Sequence, residues 1–308
     1  MARLFGEKSL AVVDPIELEV RPGFQQRKAR RALAARQICY AHAKPLGERT
    51  MRFKAIAAAL CFVLLIGAPA ARAGEELIQL PTRPGVTQPF WLLPAAGKPV
   101  ASLILFTGGN GLIRDVNRNN NFLIRSRQKF AAAGFLVASV NAPSDHPEGL
   151  DNFRSSAEHA QDIAAVIAYL RQQAAVPVWL VGTSMGTISA ANVAARLKSG
   201  GADGLVLTSS IVSSSRRAGP ISSSVEVADI AVPTLFVHNR DDACILCPFS
   251  AVPAMMERFT HAPRKELIAV SGGSEPRSDP CEALSRHGYI GIEDEVVGDI
   301  ARWIKSGG

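Results

Sequence analysis

From Val100 onward the chain alternates two kinds of apolar pattern. One is the short, almost unbroken run: Val100 to Phe106, Phe135 to Val140, Val176 to Val181, Leu205 to Thr208, Thr234 to His238 and Glu266 to Val270. Runs of this length, rich in Val, Ile and Leu, read as strands buried on both faces. The other is helical spacing. Phe122, Leu123 and Phe130 predict a helix over 122–133 that Gly134 stops. Ile163, Val166, Ile167 and Leu170 share one face of a helix over 155–173. Further helices are predicted over 249–259 and over 290–304, the latter carrying Val296, Val297, Ile300 and Trp303 at helical intervals. Upstream, 76–80 and 88–93 read as two short strands around a turn at Pro84-Gly85. Strands that alternate with helices imply right-handed crossovers. The expected class is α/β, a mainly parallel sheet of about eight strands with helices on both faces.

One stretch organises this pattern. The run Val176 to Val181 leads without a spacer into Gly182-Thr183-Ser184-Met185-Gly186, and small residues continue through Ala190, Ala191 and Ala194. That is strand, sharp turn and helix, with a turn of the form G-x-S-x-G. A serine on so tight a bend sits in a strained conformation with its hydroxyl above the sheet edge, at a helix N-terminus that favours negative charge. The bland reading is a Gly-rich loop with a capping serine. Here the chain resembles the α/β-hydrolase superfamily, whose lipases, esterases and serine peptidases carry such an elbow; many of them have His where this chain has Thr183. The resemblance spans about Glu76 to Lys305, and implies a small serine esterase or peptidase. The segment between the runs at Leu205 and Thr234 is too short for a lid domain, so no large cap is expected.

A serine hydroxyl needs a base to take its proton, and the base needs a third group to fix its tautomer. The resemblance implies the order Ser, acid, His. Leu235-Phe236-Val237-His238-Asn239-Arg240-Asp241-Asp242 ends a late strand and looks like the superfamily's His-Gly-x-x-Asp arrangement, with Asn239 in the Gly place. That register nominates Asp242 as the orienting carboxylate, with Asp241 in reserve. Ser285-Arg286-His287-Gly288-Tyr289 follows the last strand and nominates His287 as the base. His238 is expected to pack or hydrogen-bond locally. The oxyanion requires two backbone donors. Met185, after the nucleophile, would supply one. Thr107-Gly108-Gly109-Asn110-Gly111 resembles the His-Gly-x motif with Thr in the His place, and nominates Gly109 for the other. No Gly-Lys-Ser/Thr follows these glycines, which removes a Walker-type phosphate loop.

Composition changes the picture at the N-terminus. The net charge is +7, but 13 of the 34 basic residues and only 5 of the 27 acidic ones precede Gly74, so the remainder is close to neutral. A nucleic-acid partner is therefore not expected. Residues 1–50 are Arg- and Ala-rich with little periodicity, and read as a disordered extension or as translation begun upstream of the true start. Residues 51–73 have the form of a secretory signal: Met51-Arg52-Phe53-Lys54, an apolar run from Ala55 to Gly67, and Ala71-Arg72-Ala73 as the cleavage site. The run is short for a membrane span, and an uncleaved anchor is the competing reading. The expected mature chain, 74–308, is one hydrolase domain, secreted or periplasmic, without a stable membrane anchor.

Cysteine usage fits such a compartment. Past the leader remain Cys244, just beyond Asp242, Cys247, and Cys281, just before His287. A Cys244–Cys281 disulfide would tether the two loops and stabilise by about 3–4 kcal/mol in the loop-entropy model. Spacing alone does not fix the pairing. Cys244-Ile-Leu-Cys247 as a redox pair, and Cys244, Cys247, Cys281 and His287 as a closed zinc site, are the alternatives. The leading expectation is a secreted serine hydrolase that cleaves a small acyl ester without a cofactor. A peptidase, or a binding protein that kept the fold, is the rival.

Overall fold

The structure, a computed structural model, describes residues 74–198, 200–214 and 219–307. The expected extension and signal segment lie outside the described residues. Eight strands form one sheet: β1 (Glu76–Arg83), β2 (Val86–Leu93), β3 (Ala101–Phe106), β4 (Phe135–Val140), β5 (Val178–Thr183), β6 (Gly204–Thr208), β7 (Thr234–Asn239) and β8 (Lys265–Val270). Their order across the sheet is β1-β2-β4-β3-β5-β6-β7-β8. The β1–β2 and β2–β4 pairings are antiparallel and every other pairing is parallel. The apolar runs are thus β3 to β8, parallel to one another, with β8 at one edge, and the N-terminal hairpin extends the other.

Helices cover both faces, which is why every position of the inner strands β3 to β7 is buried and most are apolar. Ile104 and Phe106 of β3 and Val178 and Leu180 of β5 belong to the core under α3 (Ala157–Gln173) and α4 (Gly186–Leu197). The alternate residues Leu103, Leu105, Trp179 and Val181 face the other core. That second core is closed by α1 (Phe122–Arg125), α2 (Arg127–Ala132) and α7 (Glu293–Lys305). Ser156 caps α3 by accepting the His159 N–H, so the helix starts where the sequence places it. Between β6 and β7 the described residues form only single turns, α5 (Ile221–Ser224) and a 3-10 turn at Val227–Asp229. No described helix is long and apolar enough to cross a membrane.

The helix expected over 122–133 divides at Ser126 into α1 and α2. The one expected over 249–259 is a 3-10 turn, Phe249–Ala251, followed by α6 (Val252–Met256). The last helix starts at Glu293 rather than Ile290, because Tyr289 is left-handed (φ 59°) and Gly291 also has positive φ.

Two histidines are buried without charge. His159 packs edge-on against Phe106 and Phe153, and burial together with the Arg154 cation pushes its pKa down to about 3. His238 Nε2 accepts the Ser210 backbone N–H at 3.2 Å, and burial lowers its pKa to about 3 as well. Both regain ordinary titration on unfolding, so the unfolded chain binds more protons between these values and about pH 6.5. Stability is therefore expected to fall as pH drops through that window, by up to about 1.4 kcal/mol per pH unit for each histidine. Denaturant melts from pH 7 to pH 4 check this. His159→Phe should flatten the slope, and an unchanged slope contradicts the assignment.

Candidate active site

Ser184 follows the last residue of β5 and has φ 53°, a left-handed conformation that costs a non-glycine residue of order 1 kcal/mol or more. The surroundings hold it there. Its N–H donates to Thr208 O at 3.0 Å, and Thr187 Oγ1 donates to its carbonyl at 2.6 Å. The flanking glycines are a steric requirement. A Cβ on Gly182 would lie 2.6 Å from the Gly186 carbonyl oxygen, and one on Gly186 would lie 2.1 Å from that of Phe106. Strand, turn and helix pass one another too closely for any side chain.

The loops after β7 and β8 bring Asp242 and His287 together. Asp242 Oδ2 accepts a hydrogen bond from His287 Nδ1 at 2.8 Å, and Oδ1 accepts the Cys244 N–H at 2.8 Å. The pair is secluded, with side-chain exposures of 4% for His287 and 1% for Asp242. A carboxylate on Nδ1 puts the ring proton there and leaves the Nε2 lone pair outward. Nε2 has no partner among the described residues, and His287 lines the same cavity as Ser184. Asp241 is occupied elsewhere, accepting the Gly272 N–H at 2.7 Å.

Several residues with no sequence signal hold the base. Ser209 Oγ lies 2.8 Å from the His287 carbonyl and 2.9 Å from the Tyr289 hydroxyl, which itself donates to Val237 O at 2.6 Å. This ties the base loop to β7 and to the turn after β6. Arg125 donates to the carbonyls of Ala283 and Gly288 and pairs with Glu293 at 2.8 Å, so one guanidinium spans both flanks of His287. A Cys244–Cys281 disulfide fastens the acid loop to the base loop. Cys247 is a buried free thiol whose Sγ donates to Ser209 O at 3.2 Å.

The glycine-rich turn after β3 meets the elbow. A Cβ on Gly108 would lie 2.9 Å from Ser184 Cβ. Gly109 has φ 58°, and neither its N–H nor that of Met185 finds an acceptor among the described residues. Gly108 and Gly109 line the same cavity as Ser184. Behind the turn lies Arg154, 3% exposed, which donates to Gly109 O at 3.1 Å and to Ser189 Oγ at 2.9 Å. Burial lowers its pKa to about 10, and the Asp151 carboxylate opposes the shift. Its position in a polar loop gave no hint of this burial.

The cavity measures about 770 Å³ and opens to solvent. Ser184, His287, Gly108 and Gly109 line it, and Arg118, Asn119, Asn120, Asn121, Arg277 and Ser278 give the lining much of its polar character.

With this geometry in view, known structures supply the comparison. An alpha-beta serine hydrolase homologue from Coxiella burnetii superposes with a TM-score of 0.52 at 18% identity, over 77% of this chain and 100% of that one. The Pyrococcus furiosus esterase PF2001 gives 0.55 at 14% identity, over 75% and 90%. A highly thermostable carboxyl esterase from Bacillus coagulans gives 0.53 at 14% identity, over 76% and 99%. The fold is that of the α/β-hydrolases. No protein-family model and no curated protein matches the chain. In this fold the Ser184 turn joins β5 to α4, and the loops after β7 and β8 carry Asp242 and His287.

The Arg154 clamp is open to test. Arg154→Met roughly keeps the volume but removes both hydrogen bonds, leaving the Gly109 carbonyl and the Ser189 hydroxyl without that donor at a cost of about 1–3 kcal/mol. The expected outcome is a thermal midpoint lower by several degrees, with amide exchange over 108–112 accelerated by about tenfold or more beyond the rest of the sheet. Hydrogen-exchange mass spectrometry reads it. Unchanged exchange there rules out the clamp.

Proposed function

We propose that the protein is a serine hydrolase that cleaves carboxylic esters through an acyl-enzyme. The observation that carries this reading is the Asp242–His287 hydrogen bond, made by a histidine whose Nε2 has no partner among the described residues and which lines the cavity of the strained Ser184. Ser184 Oγ attacks the ester carbonyl while His287 Nε2 takes its proton. Asp242 holds the imidazole by Nδ1 and stabilises the imidazolium that forms. The N–H groups of Met185 and Gly109 stabilise the oxyanion. His287 then protonates the departing alcohol, and water, activated by the same imidazole, releases the acid.

An ester is favoured over a peptide because the sequence shows no recognisable charged specificity pocket of the peptidase kind. The solved esterases of like fold support the same choice. The Cys244–Cys281 disulfide supports a secreted or periplasmic location, since such bonds persist in oxidising compartments. A fluorophosphonate probe should label the oxidised protein at Ser184, and Ser184→Ala should abolish labelling. Asp242→Asn should lower kcat by about 10³- to 10⁴-fold with the fold intact. Folded, oxidised protein that takes no probe favours a binding protein that kept the fold.

The polar walls set an expectation for the acyl group. Guanidinium and amide groups stay solvated when a short acyl chain binds, but a long chain would strip their water without replacing its hydrogen bonds. Across p-nitrophenyl esters, kcat/KM is expected to be highest for short chains and about tenfold or more lower for long ones. A rise with chain length counts against these walls as the acyl site.

A further inference from the structure

Three ligand-type atoms converge beside the candidate base. The Sγ atoms of Cys244 and Cys247 and a ring nitrogen of His287 all lie within 4.8 Å of one another, and all three residues are buried. Cys281 Sγ is bonded to Cys244 Sγ, so it shares the position. Cys244-Ile-Leu-Cys247 closes as a tight turn, with the Cys247 N–H donating to Cys244 O at 3.0 Å, which keeps the two cysteines of the turn together. A tetrahedral zinc ion with Zn–S near 2.3 Å needs ligand atoms about 3.8 Å apart, so the cluster has to tighten by only about 1 Å. While the disulfide stands, Cys244 and Cys281 have no thiolates to offer. Once it is reduced, the set becomes three thiols and one imidazole, a composition that closed zinc sites use.

We infer that the disulfide conceals a latent metal site, in which Cys244, Cys247, Cys281 and His287 bind one zinc-class cation when the Cys244–Cys281 bond is reduced. The reductant is a dithiol. Its thiolate attacks the exposed Cys281 sulfur and Cys244 leaves as a thiolate. The second reductant thiol then displaces Cys281, closing the reductant as a cyclic disulfide. Two electrons pass to the protein, and both cysteines end as thiols. Binding the cation then releases three thiol protons, and neutral His287 supplies the fourth ligand. A neutral imidazole has one basic lone pair, so giving it to the metal also disables the candidate base. This consequence for activity rests on the hydrolase reading; the binding itself does not.

Cobalt(II) is the probe. The full chain is reduced with dithiothreitol, desalted without oxygen and titrated with Co(II), alongside oxidised protein. Reduced protein should take up one equivalent, with a thiolate-to-cobalt charge-transfer band and the intense visible bands of a tetrahedral site, while oxidised protein shows neither. Cys247→Ser and His287→Gln should each weaken binding at least about tenfold. The proposal is overturned by reduced protein without a saturable band, or by Cys247→Ser binding as tightly as wild type. It is equally overturned by a reduced chain that loses its near-UV circular dichroism before metal is added, since the site would then not be preformed. The reduced–oxidised comparison uses wild type alone, so a variant that fails to fold leaves the result readable. Zinc should also suppress fluorophosphonate labelling of reduced protein but not of oxidised protein. Labelling that persists with metal bound overturns the inhibitory consequence. Metal binding by a chain that never labels upholds the site and counts only against the hydrolase reading.

Discussion

The architecture depends on how closely α4 approaches β3. The Gly186 backbone lies against the Phe106 carbonyl, with no room for a side chain, and Gly182 is crowded from the same side. This contact fixes where β5 must turn, and the turn forces Ser184 into left-handed backbone. The strain is opposed by specific bonds to Thr208 and Thr187 and by the aliphatic cores on either face of the sheet. The same contact brings the turn after β3 beside the serine, so the hydroxyl and the N–H groups of Met185 and Gly109 share one constraint.

Around that fixed point the loops are held by buried polar groups rather than by apolar packing. Arg125 grips the base loop through two carbonyls and Arg154 grips the glycine turn through one. A guanidinium suits this work because its donors lie in one rigid plane and reach several carbonyls at once. Ser209, Tyr289 and the disulfide add further ties between the ends of β6, β7 and the segment after β8. Loops that carry chemistry must be irregular, and irregular backbone has carbonyls to satisfy. Here the satisfaction of those carbonyls is also what aims His287.

Much of the sheet was legible because burial on both faces writes itself as consecutive apolar residues, and β3 to β8 fall within about two residues of their expected positions. Asp242 and His287, nominated from their place after particular strands, are hydrogen-bonded to one another. The helices were less legible. The spacing of Phe122, Leu123 and Phe130 is shared by one helix and by two packed on the same core, and nothing local marks the break at Ser126. Tyr289, just before the apolar stretch that reads as helix, and Gly291 within it have positive φ, which delays the helix start to Glu293. Arg125, Arg154 and Ser209 were illegible for a different reason. Each acts through partners tens of residues away, and a charged residue in a polar loop looks the same whether it will be solvated or swallowed.

The three candidate groups come from the ends of β5 and β7 and from the segment beyond β8, in that order along the chain. Until the segment beyond β8 has been synthesised and packed, the cavity that Ser184 lines lacks His287, however complete the earlier strands are. A nascent or still-unfolded chain therefore lacks the Asp242–His287 hydrogen bond altogether, and the site is assembled last.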